Sequence, residues 1–442
     1  MSSGKKLLPN DKKLISAWAM YDWANSVYSL SIATAIFPIY YEAVTRHGGS
    51  DEVHFLGRQF VNTALYSYAL SFSFLVIALV SPLLSSIADY RGNKLSFMKF
   101  FCYLGSLSCI ALAFFNGENL WLGIGFFVLA TVGFCGSIVF YNSFLPEIAS
   151  DDRQDAVSAK GFALGYIGSV ILLIVNLLMI QKFTWFGFHD AATPTKISFV
   201  MTGLWWAGFA QITFRALKRF EPPLRKGEQG RSAGSLFGGY QELRKVLQQL
   251  GSLTRLRMFL FAFFFYSMGV QTVMYLASLF GKKELHLETG ELILTVLIIQ
   301  LVAVAGSYLF SFLSGRIGNM KSLLIACFTW IGICVGAYFI QNDVQFFLIA
   351  FCVGMVMGGI QSLSRSTYSR LLPPTTDTAS FFSFYDVSEK VAIVLGTIAY
   401  GVIEEKTGSM RNSLFVLILF FVVGMVGLLF VHNKKEAEPL KN

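Results

Sequence analysis

The sequence predicts an all-α membrane protein: twelve transmembrane helices in two pseudo-symmetric six-helix bundles. Three observations predict this class: the composition, the length of the apolar runs, and a repeat relating the second half of the chain to the first. Of 442 residues, 55% are apolar and 14% charged, against roughly 25% charged in soluble domains. A water-soluble chain of this size has too little polar surface to enclose so much Phe, Leu and Ile. The apolar residues fall in runs of about 20, enough to cross ~30 Å of hydrocarbon at 1.5 Å per residue. Lipid is therefore the expected solvent.

The same composition argues against other classes. The start, MSSGKKLLPNDKK, is polar and has neither the short apolar stretch nor the small-residue site of a cleavable signal peptide. The net charge is +9, but the basic residues sit in short connections between apolar runs, where they set topology and meet anionic lipid. No nucleic-acid partner is expected. The six cysteines (Cys102, Cys109, Cys135, Cys327, Cys334 and Cys352) lie inside apolar segments and read as small hydrophobes. Without CxxC or His-rich spacing no metal is expected. There is no GxxxxGKS or GxxxxGKT sequence for an ATP site, and no nucleophile–base pair in the helices for an enzyme. No cofactor is expected.

The twelve spans are expected at 16–40, 61–87, 95–115, 120–145, 159–180, 197–214, 258–280, 291–314, 322–340, 345–368, 383–403 and 412–431. They group as an N-terminal segment 1–15, a bundle 16–214, a linker 215–257, a second bundle 258–431 and a tail 432–442. Lys and Arg crowd the connections on the side of the two termini, ten of them in 215–257, while the other side holds eight. The positive-inside rule then puts both termini and the linker in the cytoplasm. The linker opens with a Pro/Gly/Ser-rich stretch expected to be flexible. YQELRKVLQQLGSL follows, an amphipathic helix with Leu243, Val246, Leu247 and Leu250 on one face, suited to the inner membrane surface.

The repeat lies in the connections. SSIADYRGNK (Ser85 to Lys94) follows the second span and SFLSGRIGNMK (Ser311 to Lys321) the eighth. Superposing Gly92 on Gly318 superposes Asn93 on Asn319, an offset of 226, and Leu145-Pro146 matches Leu372-Pro373 at 227. Duplicated six-helix halves are a transporter architecture, with substrate held near the midplane.

The stretch Ala88-Asp89-Tyr90-Arg91-Gly92-Asn93-Lys94 resembles the major facilitator motif of Gly-x-Leu-Ala-Asp-Arg-x-Gly-Arg-Lys form. Ser85 stands at its first Gly, Tyr90 at its first Arg and Asn93 at its second; in the second copy Gly315 stands at the Asp. Glu147 and Arg153 resemble the acid and base of the superfamily's next inner loop. Longer segments resemble the vacuole-effluxer-like branch, the autophagy-related amino-acid effluxers and their bacterial members. These are AWAMYDWANSVY (17–28), YNSFLPEIA (141–149), VSAKGFALGYIGS (157–169), FYSMGVQTVMYLASLFGKKEL (265–285), GGIQSLSRSTYSRLLP (358–373) and FFSFYDVSEKVAIVLG (381–396). The resemblance implies the major facilitator fold and export of amino acids or another small polar metabolite. It also marks a departure: Met268 stands where the family commonly has an acid.

Ionisable groups within hydrocarbon are costly unless paired or hydrated, so each is a functional candidate. Asp22 lies about six residues into the first span, roughly 9 Å deep, with Asn25, Ser26 and Ser29 on its face. This stripe either lines a central cavity, with Asp22 binding protons or a cation, or Asp22 is capped by Trp, backbone N–H groups or a basic residue. The tenth span carries Gly354, Gly358, Gln361, Ser362 and Arg365; the glycines suit close packing, Gln361 a substrate amide or carboxylate, and Arg365 a substrate anion or a gate. Asp386 and Lys390 form an i,i+4 pair with Glu389 alongside, read either as a compensated ion pair or as a proton-sensitive switch. The candidate proton-coupling set is Asp22, Asp386 and Lys390. The candidate substrate set is Asn25, Tyr28, Tyr141, Asn142, Gln271, Tyr275, Gln361 and Arg365. Gly161, Gly165 and Gly168 of the fifth span are read as packing. The five histidines fall in loops or near the ends, against a buried histidine relay.

The loop residues Asp89, Arg91, Gly92, Lys94, Glu147 and Arg153 are read as a gating network that closes the inner face. Arg316, Gly318 and Lys321 are its second-half equivalents, deprived of their acid at Gly315. A network biasing two conformations needs only a few kcal/mol. The function expected is secondary transport of a small polar metabolite by alternating access, either proton-coupled or facilitative, by a monomer in a bacterial inner membrane. Two alternatives are a drug or lipophile exporter of the same superfamily, with a large aromatic cavity and Asp22 unpaired, and a membrane sensor signalling through the linker.

Overall fold

The computed structural model describes residues 6–46, 51–220 and 236–433. The chain folds as α1 (Lys12–Val27) running through a π-helical segment (Tyr28–Ala35) into α2 (Phe37–Thr45), then α3 (Asn62–Arg91), α4 (Lys94–Ala111), α5 (Leu120–Ser143), the short α6 (Leu145–Ile148), α7 (Gln154–Gln181) and α8 (Ala192–Leu217). After them come α9 (Leu236–Ser252), α10 (Thr254–Glu284), α11 (Thr289–Ile317), α12 (Asn319–Phe339), α13 (Asp343–Leu371), α14 (Thr378–Thr407) and α15 (Met410–Asn433). Eleven of these stretches are long and apolar enough to cross a membrane. The twelfth is α14, which carries Asp386, Glu389 and Lys390 at its centre. Its other face presents Val391, Leu395, Ile398 and Val402, all exposed, at the i, i+4, i+7, i+11 spacing of a lipid-facing stripe. Asp386 and Lys390 are turned inward and buried. The charges lower the hydropathy of α14 without placing charge in lipid.

The chain divides into two compact units, 1–150 with 164–240, and 151–163 with 241–442. The division does not fall at the linker alone: the stretch before α7 and its first turns, to Ala163, group with the second unit. Within the first unit the packed pairs are α1 with α8, α4 with α5 and α8, and α3 with α5. Within the second, α10 packs with α15, α12 with α13 and α15, and α11 with α13. These are the same pairings six spans on, the three-dimensional counterpart of the sequence repeat.

Small residues set the closest approaches. A Cβ built on Gly358 would lie 2.1 Å from the Ala303 carbonyl oxygen, and one on Gly354 2.5 Å from that of Ile299, so α13 lies directly on the α11 backbone. A Cβ on Gly165 would meet Ser26 Oγ at 2.5 Å, and one on Gly168 the Trp23 carbonyl at 2.9 Å. These glycines are packing residues.

Two features were not expected from the sequence. An antiparallel hairpin, β1 (Glu52–Phe55) with β2 (Arg58–Val61), occupies the connection between α2 and α3. Its two-residue turn has positive φ at Leu56 and Gly57, as a type I′ turn requires. The first span also widens into a π-helix from Tyr28, where a straight helix over 16–40 was expected. The Pro/Gly/Ser-rich stretch of the linker falls mostly outside the described residues, as do His47 and the chain beyond Asn433. The amphipathic segment is helical as α9, with Val246 buried, Leu243 and Leu250 partly so, and Leu247 half exposed.

Candidate functional site

The first unit gathers Asp22, Asn25, Tyr28, Tyr141 and Asn142, all buried. Asp22 accepts a hydrogen bond from the Tyr141 hydroxyl at 2.8 Å. Tyr141 is fixed in turn by Trp18, which stacks on it at 4.3 Å between centroids and donates its indole N–H to the Tyr141 carbonyl at 3.0 Å. One donor to Asp22 is thus a tyrosine hydroxyl, itself held in place by Trp18. Tyr28 packs on Phe134 and Trp206 and hydrogen-bonds Thr131 at 2.7 Å. It is packed in the core of the first unit.

In the second unit Gln271 and Gln361 line a cavity of about 50 Å³, together with Tyr266, Ser364, Tyr385 and Glu389 among others. Lys390 Nζ lies 3.2 Å from Asp386 Oδ1 and 2.8 Å from Glu389 Oε2. Gln271 donates to the other Glu389 oxygen at 2.9 Å. The expected two-member pair is therefore a three-member cluster, and Glu389 is the member facing the cavity. Its side chain is 23% exposed, against 3% for Asp386. Tyr266 and Ser364 share a hydrogen bond of 2.7 Å across the wall, and Gln361 Nε2 reaches Met274 Sδ at 3.2 Å. Tyr275 is half-buried one turn beyond Gln271 on α10.

Arg365 is buried away from the cavity mouth. Its Nε donates to Ser158 Oγ at 2.9 Å and its Nη2 to the Ser158 carbonyl at 2.8 Å, and its guanidinium stacks 4.2 Å over Phe162. Phe162 lines the cavity, so the cation stands behind an aromatic wall. A bidentate grip by one serine was not foreseeable, because Ser158 and Arg365 are 207 residues apart.

The loop residues form separate arrangements. In the first unit Lys94 pairs with Glu147 and lies over the Phe144 ring. Gly92 takes φ 65 at the end of α3, after Asp89 and Arg91. Arg153 is exposed in the turn before α7. In the second unit the acid missing at Gly315 is supplied by Asp155, a residue absent from the sequence candidates. Asp155 accepts from Asn319 Nδ2 at 2.7 Å, from Ser314 Oγ at 3.0 Å and from Arg370 Nη1 at 3.1 Å. The second-half loop is therefore not deprived of an acid, and its cation is Arg370. Arg316 instead lies over Phe312, and Lys321 is exposed. A sequence signal existed: Asp155-Ala-Val-Ser158 opens α7 as Asp377-Thr-Ala-Ser380 leads into α14.

Residues 10–440 match the family model described as "Vacuole effluxer Atg22 like". The chain belongs to this Atg22-like family. It is 32% identical over 431 residues, 96% of each chain, to the uncharacterized MFS-type transporter YxiO of Bacillus subtilis. It is 26% identical over 440 residues to autophagy-related protein 22 of Saccharomyces cerevisiae, covering 87% of this chain and 82% of that one. Among solved structures it resembles the fucose:proton symporter FucP of E. coli, with TM-score 0.68 at 14% identity over 96% and 98% of the two chains. It also resembles the human organic anion transporter MFSD10, with TM-score 0.69 at 11% identity over 95% and 100%. These likenesses establish the twelve-helix major facilitator fold. The Atg22-like chain is a multi-pass membrane transporter of a small-molecule substrate, of a family of transporters rather than enzymes.

Proposed function

We propose that this transporter exports amino acids or a similarly small zwitterion by alternating access, coupled to protons, across a bacterial inner membrane with both termini in the cytoplasm. The observation that carries the reading is the α14 cluster: two carboxylates share one ammonium beside a small polar cavity. With Arg365 the buried ionisable groups around the cavity carry no net charge. A zwitterion preserves that balance, since its ammonium meets Glu389 and its carboxylate meets donors such as Gln361. A proton on Glu389 removes its attraction for an ammonium and leaves Lys390 to Asp386, which releases substrate. Protonation and substrate binding thus compete for one carboxylate.

The cavity of about 50 Å³ has room for one or two waters at ~30 Å³ each. Substrate entry therefore requires the lining helices to part, as alternating access supposes. Lys94–Glu147 and Asp155–Arg370 are the contacts that such a movement breaks and remakes, each worth little but sufficient to bias two states. The effluxer description of the family supports the direction, and the Bacillus relative the membrane. A lipophile exporter with Asp22 unpaired is not favoured, because Tyr141 caps that carboxylate.

The test is uptake of a labelled amino-acid panel into proteoliposomes, with and without a pH gradient. The gradient should stimulate wild-type transport. Glu389→Gln, the neutral mimic of the protonated carboxyl, should lose that stimulation and lower both substrate exchange and net flux by tenfold or more. If no amino acid moves, the substrate assignment fails; if wild type ignores the gradient, proton coupling fails.

A further inference from the structure

The two oxygens of Glu389 have unlike neighbours. Oε2 accepts from Lys390 Nζ at 2.8 Å, and Oε1 accepts from Gln271 Nε2 at 2.9 Å. An ammonium carries donors only, so a proton arriving at Oε2 would meet a second positive charge. Oε1 faces an uncharged amide and is the oxygen suited to take the proton. Among the described residues the ionisable groups around this carboxylate are Asp386, Lys390 and Tyr385 on α14 and Tyr266 on α10. Arg365 of α13 stands behind the Phe162 ring of α7.

Gln271 is built to respond to such a proton, because one end of its amide donates and the other accepts. With Glu389 ionised the N–H end is engaged by the carboxylate, and among the described residues no hydrogen bond reaches the amide's own Oε1. Gln271 lines the cavity, so its carbonyl is left to the cavity. A proton on Glu389 reverses what that group needs from its neighbour. The new O–H is a donor and requires an acceptor, whereas the N–H aimed at it is another donor. A half-turn about the last side-chain torsion of Gln271 exchanges Nε2 and Oε1 without moving the backbone, and that torsion is broad and roughly two-fold.

We infer that Gln271 reads the protonation state of Glu389 and passes it to the cavity by turning its amide. The inference rests on the proposal that Glu389 carries the coupling proton. With Glu389 ionised, the cavity presents a carboxylate and the Gln271 carbonyl, two acceptors that suit an ammonium. A proton from the aqueous side to which the cavity is open bonds to Glu389 Oε1. The Nε2–H···Oε1 hydrogen bond breaks, and an O–H···O bond from Glu389 to the Gln271 carbonyl replaces it. The amide N–H then takes the carbonyl's place at the cavity, where it opposes an ammonium and favours a carboxylate. One proton thus withdraws both acceptors and adds a donor; its departure restores them. Gln271 is a positioning residue in this cycle, since it turns but takes no proton itself.

The test is infrared difference spectroscopy of the full-length protein in detergent, recorded on acidification without substrate. Wild type should show two changes with one midpoint. One is the C=O band of a protonated carboxyl. The other is a shift of a side-chain amide C=O to lower frequency, as that carbonyl gains a donor. Glu389→Gln should lose both. Gln271→Met, of similar length but without an amide, should lose the amide shift and keep the carboxyl band. A wild-type carboxyl band with no amide shift beside it overturns the inference, whatever the stability of the variants, and leaves Glu389 as the proton carrier. An amide shift that survives in Gln271→Met overturns it equally. If instead no carboxyl band appears, or Glu389→Gln leaves it untouched, the assignment of the proton to Glu389 fails and the inference falls with it.

Discussion

The two loops that carry the repeat begin alike and end differently. In the first unit Gly92 ends α3 in the left-handed region, Lys94 starts α4, and Glu147 neutralises that lysine. In the second unit Gly318 alone separates α11 from α12, the loop bonds to Asp155, and Lys321 is exposed. The transmembrane interiors differ in the same sense. Asp22 accepts from the Tyr141 hydroxyl, and Asp386 and Glu389 surround Lys390. Duplication has kept the packing of helix pairs while moving the acids. The second unit holds the buried ammonium with two carboxylates, so it should be sensitive to loss of a single charge.

The largest effect should follow removal of Lys390. Its side chain is 6% exposed and both neighbouring carboxylates draw on it. Lys390→Ala leaves two acids buried without their ammonium, at a cost on the order of 3–5 kcal/mol, read as a lower unfolding temperature in detergent. Adding Asp386→Asn should recover much of that loss, because fewer uncompensated charges then remain. Tyr141→Phe, which removes only the neutral donor to Asp22, should cost about 1–2 kcal/mol. Equal losses for Lys390→Ala and Tyr141→Phe would erase the contrast between the two interiors.

The loop acids come next. Asp155 accepts three hydrogen bonds, one from a cation, and is 10% exposed. Because Arg370 is 38% exposed, solvent discounts the ionic part, and Asp155→Asn should cost about 2 kcal/mol. Glu147→Gln, at a more exposed carboxylate paired with Lys94, should cost about 1 kcal/mol. The ordering is the test, and a larger loss at Glu147 would reverse the assignment of the stronger loop network to the second unit.

Much of this arrangement was legible in the sequence, for identifiable reasons. Apolar run length marked the spans because a helix must be about 20 residues long to cross the hydrocarbon. The repeat showed in Gly92 and Gly318 because backbone conformation restricts what can stand there. Gln271, Gln361, Asp386 and Lys390 were legible as polar groups in apolar surroundings, and they meet in one unit. Their partners were not. Ser158 with Arg365, Gln271 with Glu389 and Asp155 with Asn319 are each more than 100 residues apart, and helical period reports only which face a residue occupies. The acid of the second loop was missed because it was sought at Gly315, in the loop itself, whereas Asp155 lies in another chain segment. The π-helix at Tyr28 leaves no mark in hydropathy, since YSLSIATA reads as any apolar helix.

The smallest effects, and the cleanest, lie at the two glycines of the repeat. A Cβ at either position meets nothing within 4 Å, so a substitution reports backbone conformation alone. Gly92 has φ 65 and ψ 28, the left-handed helical well, where Ala costs about 1 kcal/mol. Gly318 has φ 87 and ψ 157, in a region populated essentially by glycine, where a side chain costs about 1–3 kcal/mol. Asparagine separates the two cases. It visits the left-handed well readily, so Gly92→Asn should fall within about 0.5 kcal/mol of wild type. Gly318→Asn gains no such relief and should be as damaging as Gly318→Ala. Thermal unfolding of the four variants decides the matter: rescue by Asn at both sites would mean that the two loops share one backbone after all, and that the halves differ only in their side chains.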